Sequence, residues 1–317
     1  MSSDTENEII NRLKQSISSF NEIPNNSIHL THLISGTNQI YKISSSCQNS
    51  PIIYREFGIN NFISKEVERN NFLLVSSSGQ GPRAFFQSED FRIEEYLGES
   101  LTRENCNSCA EEIIPSLISY HNLHKGFAPN SIFEYIHNWT EAFFLKSTKY
   151  KNNLSELETV LLKNVKKSIK TFRDEVFDLL PKCDEYIFSH NDFSYGNIIV
   201  GENKYWIIDY EYSGLGHPSV DLASFIIETQ FDFSTPKYKY IPEDEMPIET
   251  QLKFVNRYAD MARIDSDELW YDVNRSKAGL CYLGMIWAAC QYQPGCADML
   301  EYSLMRKELF LRYKREV

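Results

Sequence analysis

The spacing of hydrophobic and polar residues changes along the chain, and each change predicts a different kind of element. Apolar residues recur at helical intervals between Ile9 and Phe20, which predicts an amphipathic helix near the start. Residues 27–57 are strand-like instead, with three short apolar runs separated by polar residues. Residues 67–74 predict a short helix, and two further strand-like runs follow within residues 84–93. This order indicates an N-terminal lobe with a mostly antiparallel sheet and one helix.

Helical periodicity dominates the rest of the chain. Residues 94–100 have little periodicity and include Gly98, which is typical of a connector. Three helical patterns follow, over residues 110–123, 131–149 and 154–180. Residues 186–208 then form a small β island of brief apolar runs between polar loops. We therefore predict an α+β fold with a β-rich lobe at residues 1–96 and a larger, mostly helical lobe at residues 97–317.

Composition and charge exclude several classes of protein. Hydrophobic residues make up 42% of the 317 positions, enough for a sizeable core, which excludes a disordered or fibrous chain. The 44 acidic residues outnumber the 32 basic ones and give a net charge of −12, whereas proteins that bind nucleic acid are usually basic. No apolar stretch reaches the roughly 20 residues that cross a bilayer. We therefore expect neither a nucleic-acid partner nor membrane insertion.

The cysteines and the first residues of the chain indicate the cellular compartment in which the protein works. The seven cysteines are odd in number and scattered through a chain too large to need disulfides, so we expect reduced thiols. Residues 1–7 are polar and acidic, unlike a secretory signal. We therefore expect a cytoplasmic protein. Two interpretations are open for the first 25 residues, which are either the arm of a homodimer or a helix of the N-terminal lobe.

The densest group of interpretable polar residues lies in the β island. Asp192 and Asn197 flank a tight loop that ends where a strand begins, and Asp209 and Glu211 follow the next strand. Phosphoryl transfer uses such a set, because one carboxylate accepts the proton of the attacking hydroxyl while Asn and Asp side chains hold Mg²⁺ against the phosphates. In the alternative interpretation these residues cap turns or face solvent. Their combination and spacing favour the catalytic interpretation.

Residues 190–228 resemble the signature of the choline and ethanolamine kinases, which belong to the aminoglycoside-phosphotransferase-like group of the protein kinase fold. The resemblance rests on the HND tripeptide, the IDYEYSG run and the DLA that follows it. It implies a bilobal protein-kinase-like fold that uses ATP and Mg²⁺. It also implies that Asp192 is the catalytic base, that Asn197 and Asp209 bind magnesium, and that Glu211 contributes to a metal site.

The resemblance extends more weakly to an expected nucleotide site in the N-terminal lobe. Ser35, Thr37 and Asn38 fall where the family keeps the turn that covers the nucleotide, and backbone N–H groups there can cradle phosphates. Arg55 occupies the strand position from which the family contacts phosphate, and we expect Glu68 of the following helix to be its partner. The hinge that would meet adenine comprises Glu95, Tyr96 and Leu97.

The resemblance also implies an acceptor pocket next to Asp192. A quaternary ammonium group donates no hydrogen bonds and is held by aromatic faces and a carboxylate. Gly284 falls where choline kinases commonly have a second Trp, and Phe233 replaces a Tyr, so the cage is thinner here. Ethanolamine or another small amino alcohol therefore stays open as the acceptor. The implied acceptor-binding residues are Asp192, Tyr212, Glu228, Trp287 and Tyr302.

The sequence thus predicts a kinase that phosphorylates the hydroxyl of choline or ethanolamine, the first step of phospholipid head-group synthesis. One alternative is a kinase of another small alcohol, such as an aminoglycoside or thiamine. A second is a non-catalytic member that binds nucleotide or a partner, although the joint presence of Asp192, Asn197 and Asp209 disfavours it. The acidic excess also fits long-range attraction of a cationic acceptor.

Overall fold

A computed structural model gives the conformation of most of the chain and shows two lobes with a cleft between them. The N-terminal lobe contains the main sheet, and the C-terminal lobe is mostly helical, as the sequence predicts. The division at residues 96 and 97 itself stays a prediction. The structure describes residues 3–33, 38–58, 64–123, 131–150, 154–182, 186–233 and 238–317.

The N-terminal lobe is an antiparallel sheet covered by the first helix of the chain. Its strands are β1 (Ile28–Leu33), β2 (Gln39–Ser45), β3 (Ile52–Glu56), β4 (Ala84–Gln87) and β5 (Phe91–Glu95). They pair in the order β1-β2-β3-β5-β4. Helix α1 (Ser3–Ser16) buries Ile9 and Leu13 against Tyr54 and Ile93 of the sheet. This packing agrees with the interpretation of the first residues as a helix of the N-terminal lobe.

Helix α2 (Lys65–Ser77) belongs to the small lobe by sequence but joins the two lobes in space. Its Phe72 and Val75 are fully buried, and both belong to the hydrophobic core of the C-terminal lobe. Its Asn71 side-chain amide donates to the main-chain carbonyls of Tyr210 at 3.2 Å and Ser213 at 2.9 Å. Helix α2 therefore anchors the polar segment that follows Asp209 through these two hydrogen bonds.

The C-terminal lobe is arranged around one long buried helix. Its helices are α3 (Cys106–His121), α4 (Ile132–Ser147), α5 (Glu156–Leu179), α6 (Pro218–Glu228), α7 (Ile248–Ala262), α8 (Ser266–Gln291) and α9 (Ala297–Tyr313). The apolar residues 280–290 lie in α8, which packs against α5, α6 and α9. Within the described residues, no helix combines the length and apolar composition that a bilayer crossing requires.

The β island is made of two small antiparallel pairs that carry the polar residues of interest. The strands are β6 (Ile187–Ser189), β7 (Ile198–Val200), β8 (Tyr205–Ile207) and β9 (Gly214–Gly216). Strand β6 pairs with β9 and β7 with β8, so the loops at 190–197 and 208–213 emerge side by side. A Cβ at Gly216 would lie 2.5 Å from the Ser189 Cβ, and glycine is therefore required for this approach. Two further short strands, β10 (Phe231–Asp232) and β11 (Lys239–Tyr240), follow α6.

Candidate active site

The loop that carries Asp192 is fixed by one buried carboxylate. Asp221 lies in the first turn of α6, and its two oxygens accept the backbone N–H groups of His190 at 2.7 Å and Asn191 at 2.8 Å. Asn191 has a φ of 62°, a left-handed conformation that is uncommon for a residue with a side chain. The two hydrogen bonds hold this conformation and so set the direction in which the next residue, Asp192, points.

Asp221 is in turn supported by a buried histidine. The His121 Nε2 lies 2.9 Å from Asp221 Oδ2, and its Nδ1 lies 2.7 Å from the Tyr258 hydroxyl. Burial by itself would raise the pKa of Asp221, but the hydrogen bond from His121 and the donors of the loop lower it overall. Asp221 therefore stays a carboxylate. His121 thus positions Asp221 through this buried hydrogen bond.

Asp192 and Asn197 are hydrogen-bonded to each other. The Asn197 side-chain nitrogen donates to the Asp192 carbonyl at 2.9 Å and to its Oδ2 at 3.0 Å. Both bonds use the amide nitrogen, so the amide oxygen, the atom that a metal ion would need, takes no part in them. Burial raises the pKa of Asp192, the negative charges of Glu228 and Asp209 add to the increase, and together they bring it to about 8. Asp192 is therefore buried among like charges, and a bound cation would favour its ionised form.

Asp209 and Glu211 lie beside Asp192 on the neighbouring loop. Asp209 also has a left-handed backbone, with a φ of 70°, and the preceding Ile208 carbonyl accepts from the His190 ring at 2.9 Å. Burial raises the pKa of Glu211 to about 9, and the charges of Asp209 and Asp192 add to the increase. Several carboxylates thus converge here, and their mutual repulsion favours a bound cation.

The donor set suits a hard divalent ion that also binds phosphate oxygens. Asp209, Glu211 and the Asn197 amide oxygen are the oxygen donors that Mg²⁺ prefers, and the excess negative charge favours a cation. Among the described residues, no three His, Cys, Asp or Glu side chains form a metal site by themselves. The residues therefore fit Mg²⁺ bound with a nucleotide, since magnesium usually takes few protein carboxylates and completes its shell with phosphates and water.

Arg55 reaches the same carboxylates from the small lobe. It is 3% exposed, and its guanidinium lies 3.6 Å from Glu94 and 3.4 Å from Asp209. The expectation that Glu68 pairs with Arg55 is wrong, because Glu68 pairs with Arg92 at 2.9 Å. Arg92 stands opposite Arg55 on the neighbouring strand β5 and lies nearer to α2. Glu94 then connects the two arginines, since Arg92 also donates to it at 2.5 Å.

One cavity of about 1300 Å³ runs between the lobes and brings the predicted residues together. Of the predicted nucleotide-binding set, Asn38 and Glu68 do not line its wall, and Asn38 instead accepts the Gly58 N–H at 3.2 Å. Ser35 and Thr37 lie outside the described residues. The predicted residues that do line it at the nucleotide end are Arg55, Glu95, Tyr96, Leu97, Asn197 and Asp209.

The other end of the cavity is aromatic. Tyr212 packs edge-on against Trp139 of α4 at 5.6 Å between ring centroids, and its hydroxyl accepts the Trp287 indole N–H at 3.1 Å. The rings of Trp287 and Tyr302 are 6.4 Å apart and nearly perpendicular. The structure therefore brings Tyr212, Trp287 and Tyr302 together with Asp192, as the sequence predicts for an acceptor pocket.

Glu228 lies in the same pocket but already has a cationic partner. Arg306 of α9 donates to both Glu228 oxygens at 2.8 Å and to the Tyr302 hydroxyl, and its guanidinium stacks on Phe231 at 3.8 Å. A Cβ at Gly284 would lie 3.2 Å from the Arg306 side chain, so the missing side chain gives Arg306 its room. The proposed acceptor carboxylate is therefore half of a buried ion pair.

Three residues at or behind the site were not assigned a role from the sequence. Asp221 belongs to the quoted DLA run, so the signal was present, but its contact with the loop depends on tertiary structure. Arg306 had no signal beyond its spacing from Tyr302. Tyr238 follows α6 in a segment with no motif, and only the structure shows that it lines the cavity.

Comparison with known proteins identifies the family. The choline/ethanolamine kinase family model matches residues 31–291. Probable choline kinase 1 of Arabidopsis thaliana is 26% identical over 206 residues, which cover 61% of this chain and 57% of the relative. The chain spans less than two thirds of the length of the first three curated relatives that it matches.

Solved structures agree in fold. The choline kinase from Cryptosporidium parvum superposes with a TM-score of 0.78 at 22% identity, covering 98% of this chain and 95% of that one. The Plasmodium vivax ethanolamine kinase gives 0.74 at 18% identity, with 96% and 87% covered. These confirm the bilobal α+β fold. Since the family model also spans most of the sequence, including the loops of Asp192 and Asp209, the chain belongs to the choline/ethanolamine kinase family.

Proposed function

We propose that the protein is a kinase that transfers the γ-phosphate of ATP to the hydroxyl of a small amino alcohol, choline or ethanolamine. The observation that carries the proposal is the position of Asp192. It lies in one continuous cavity between a charged end with Arg55 and Asp209 and an aromatic end with Tyr212 and Trp287. A hydroxyl bound at the aromatic end would thus meet a phosphate bound at the charged end beside this carboxylate.

In the proposed mechanism the protein acts mainly by positioning and by charge. Asp192 would accept the proton of the attacking hydroxyl, and the Mg²⁺ and cationic acceptor expected beside it would favour its ionised form. Arg55 would hold phosphate oxygens from the small lobe. Asn197, Asp209 and Glu211 would hold Mg²⁺, which when bound neutralises charge on the transferring phosphate.

The aromatic end supports a cationic acceptor. Ring faces attract an ammonium group through their quadrupoles, and the neighbouring carboxylates add attraction. Phosphorylation of choline or ethanolamine would be the first step of phospholipid head-group synthesis, and it would take place in the cytoplasm. Aminoglycosides and thiamine stay as alternative acceptors because Gly284 stands where choline kinases commonly have a second Trp.

Turnover of ATP with magnesium tests the proposal directly. We expect phosphorylation of choline or ethanolamine and much weaker turnover of thiamine and an aminoglycoside. The Asp192→Asn variant is the matched control. It should lose about 10²- to 10⁴-fold in kcat while still binding ATP, because a general base contributes that much. Absence of turnover with all four alcohols would refute the proposed function, and a fully active Asp192→Asn would remove Asp192 from the role of base.

A further inference from the structure

The aromatic end of the cavity contains a ring whose role the family signature does not supply. Tyr238 lies directly before β11 and lines the cavity together with Trp287 and Tyr302. Its ring centroid is 5.1 Å from that of Tyr302, 6.0 Å from Trp287 and 5.6 Å from Phe233. Tyr238 is therefore the shared neighbour of three rings, two of which were already predicted to contact the acceptor.

Tyr238 also lies within electrostatic reach of the proposed base. Burial raises the pKa of its phenol, and the negative charge of Asp192 raises it further. The ring is only partly buried, so part of its surface is available to a molecule in the cavity. A cation between this ring and Asp192 would be attracted by both.

The non-aromatic groups at the aromatic end of the cavity contribute little to the binding of a cation. Gly284 contributes no side chain, and the charge of Glu228 is balanced by Arg306 at 2.8 Å. A balanced carboxylate attracts an ammonium group much less than an unpaired one does. The rings of Trp287, Tyr302 and Tyr238 therefore remain as the main source of attraction at the far side from Asp192.

We propose that Tyr238 is an acceptor-binding residue whose ring face contacts the ammonium group and sets the preference between methylated and unmethylated acceptors. This rests on the proposed function, because it assumes an amino alcohol at the aromatic end. A trimethylammonium group depends on ring faces because it cannot donate hydrogen bonds, whereas a primary ammonium group can also use hydrogen bonds to carboxylates. Loss of the ring should therefore weaken the binding of choline more than the binding of ethanolamine.

Steady-state kinetics of the full chain with choline, ethanolamine and ATP test this role. Tyr238→Leu removes the ring but keeps apolar volume, and it should raise the KM for choline by about ten-fold or more with the KM for ATP within about two-fold. The KM for ethanolamine should rise less. Tyr238→Phe keeps the ring and should stay within about three-fold of the parent. An unchanged choline KM in Tyr238→Leu, or an equal rise for ATP, would overturn the proposal.

Tyr240 provides the matched control. It lies two residues later, packs on Phe231 at 5.5 Å and donates to Gln230, and it does not line the cavity. Tyr240→Leu should change stability but leave the choline KM unchanged. A rise in choline KM equal to that of Tyr238→Leu would show that general loosening, rather than the ring of Tyr238, is responsible.

Choline binding without turnover separates this proposal from the proposed function. Choline is titrated into each variant without ATP, and the change in tryptophan fluorescence gives its Kd. If the parent binds choline but does not phosphorylate it, and Tyr238→Leu binds at least about ten-fold more weakly, the role of Tyr238 stands while the kinase proposal fails. If the parent phosphorylates choline and Tyr238→Leu binds choline as tightly as the parent does, the proposed role of Tyr238 fails. If the parent does not bind choline, the proposal for Tyr238 fails as well.

Discussion

Two buried arginines line the same cleft, and their surroundings suit different roles. One arginine is placed to bind a ligand, and the other stabilises the fold. Arg55, at the charged end of the cavity, lies 3.6 Å from Glu94 and 3.4 Å from Asp209, and its Nε has no hydrogen-bond partner among the described residues. Arg306, at the aromatic end, donates to both oxygens of Glu228 at 2.8 Å. Arg55 therefore has unused donor capacity, whereas Arg306 already donates from its Nε to Tyr302 and from one terminal nitrogen to Glu228.

The partners of the two arginines differ as well. Glu94 is also bound by Arg92, so its charge would stay balanced if Arg55 bound a phosphate as proposed. In the described part of the chain, Glu228 has Arg306 as its ion-pair partner, and both are largely buried. The comparison leads us to expect that Arg55 can bind a ligand because Arg92 shares its carboxylate, whereas Arg306 serves the fold. Substitutions can test this difference.

The largest effect on stability is expected from Arg306→Met. This change leaves the Glu228 carboxylate buried without its partner, which should lower the free energy of unfolding by about 3–5 kcal/mol. Denaturant unfolding measures the loss. The double variant Glu228→Gln with Arg306→Met should recover much of it, because no buried charge remains. If the single and double variants were equally unstable, the loss would come from packing on Phe231 rather than from charge.

Arg55→Met should show the reverse pattern. Its loss removes charge-assisted hydrogen bonds to phosphate, and we expect kcat/KM for ATP to fall about 10- to 100-fold. The free energy of unfolding should fall by less than about 2 kcal/mol, since Glu94 keeps Arg92. Steady-state kinetics at varied ATP, with denaturant unfolding beside it, measure both. Strong destabilisation with an unchanged ATP dependence would mean that the two arginines do not differ in role.

Gly284→Ala perturbs the Arg306 side without removing a charge. The added Cβ would lie 3.2 Å from Arg306 and push its side chain away from Glu228. We expect a loss of about 1–3 kcal/mol in unfolding free energy, together with a higher KM for the acceptor and an unchanged KM for ATP. Denaturant unfolding and steady-state kinetics measure these changes, and an equal rise in the KM for ATP would contradict the prediction.

The smallest effect is expected at an exposed ion pair near the same cleft. Lys42 binds Glu99 at 2.9 Å, but 79% of the Glu99 side chain is exposed. Lys42→Met should change the free energy of unfolding by less than about 1 kcal/mol, and added salt should reduce the difference. Thermal unfolding at low and high salt provides the measurement. A loss as large as that of Arg306→Met would show that burial does not distinguish the pairs.

Contiguous sequence made the catalytic half of the site predictable. Asp192, Asn197, Asp209 and Glu211 lie within 20 positions on two neighbouring loops, and the structure places all four at one cavity. The period of the hydrophobic pattern likewise predicted the sheet and the helices. Strand β9 was missed because its Gly214-Leu215-Gly216 sequence has no strand periodicity, and its pairing with β6 is a tertiary contact.

Contacts between distant elements could not be predicted in the same way. The pairing of Glu68 with Arg92 depends on the register of β3 and β5, which places Arg92 directly opposite Arg55. The importance of Gly284 depends on Arg306, which lies on a different helix. Such pairs are set by helix packing and strand register, and local sequence patterns carry little information on either.

The position of α2 has a consequence for how the molecule unfolds. Phe72 and Val75 complete the core of the large lobe, and Asn71 holds the loop that follows Asp209. Removing the small lobe would therefore open a hole in the large one and release that loop. We therefore expect the two lobes to unfold as one cooperative unit, and heating should give a single calorimetric transition in which both lobes melt together.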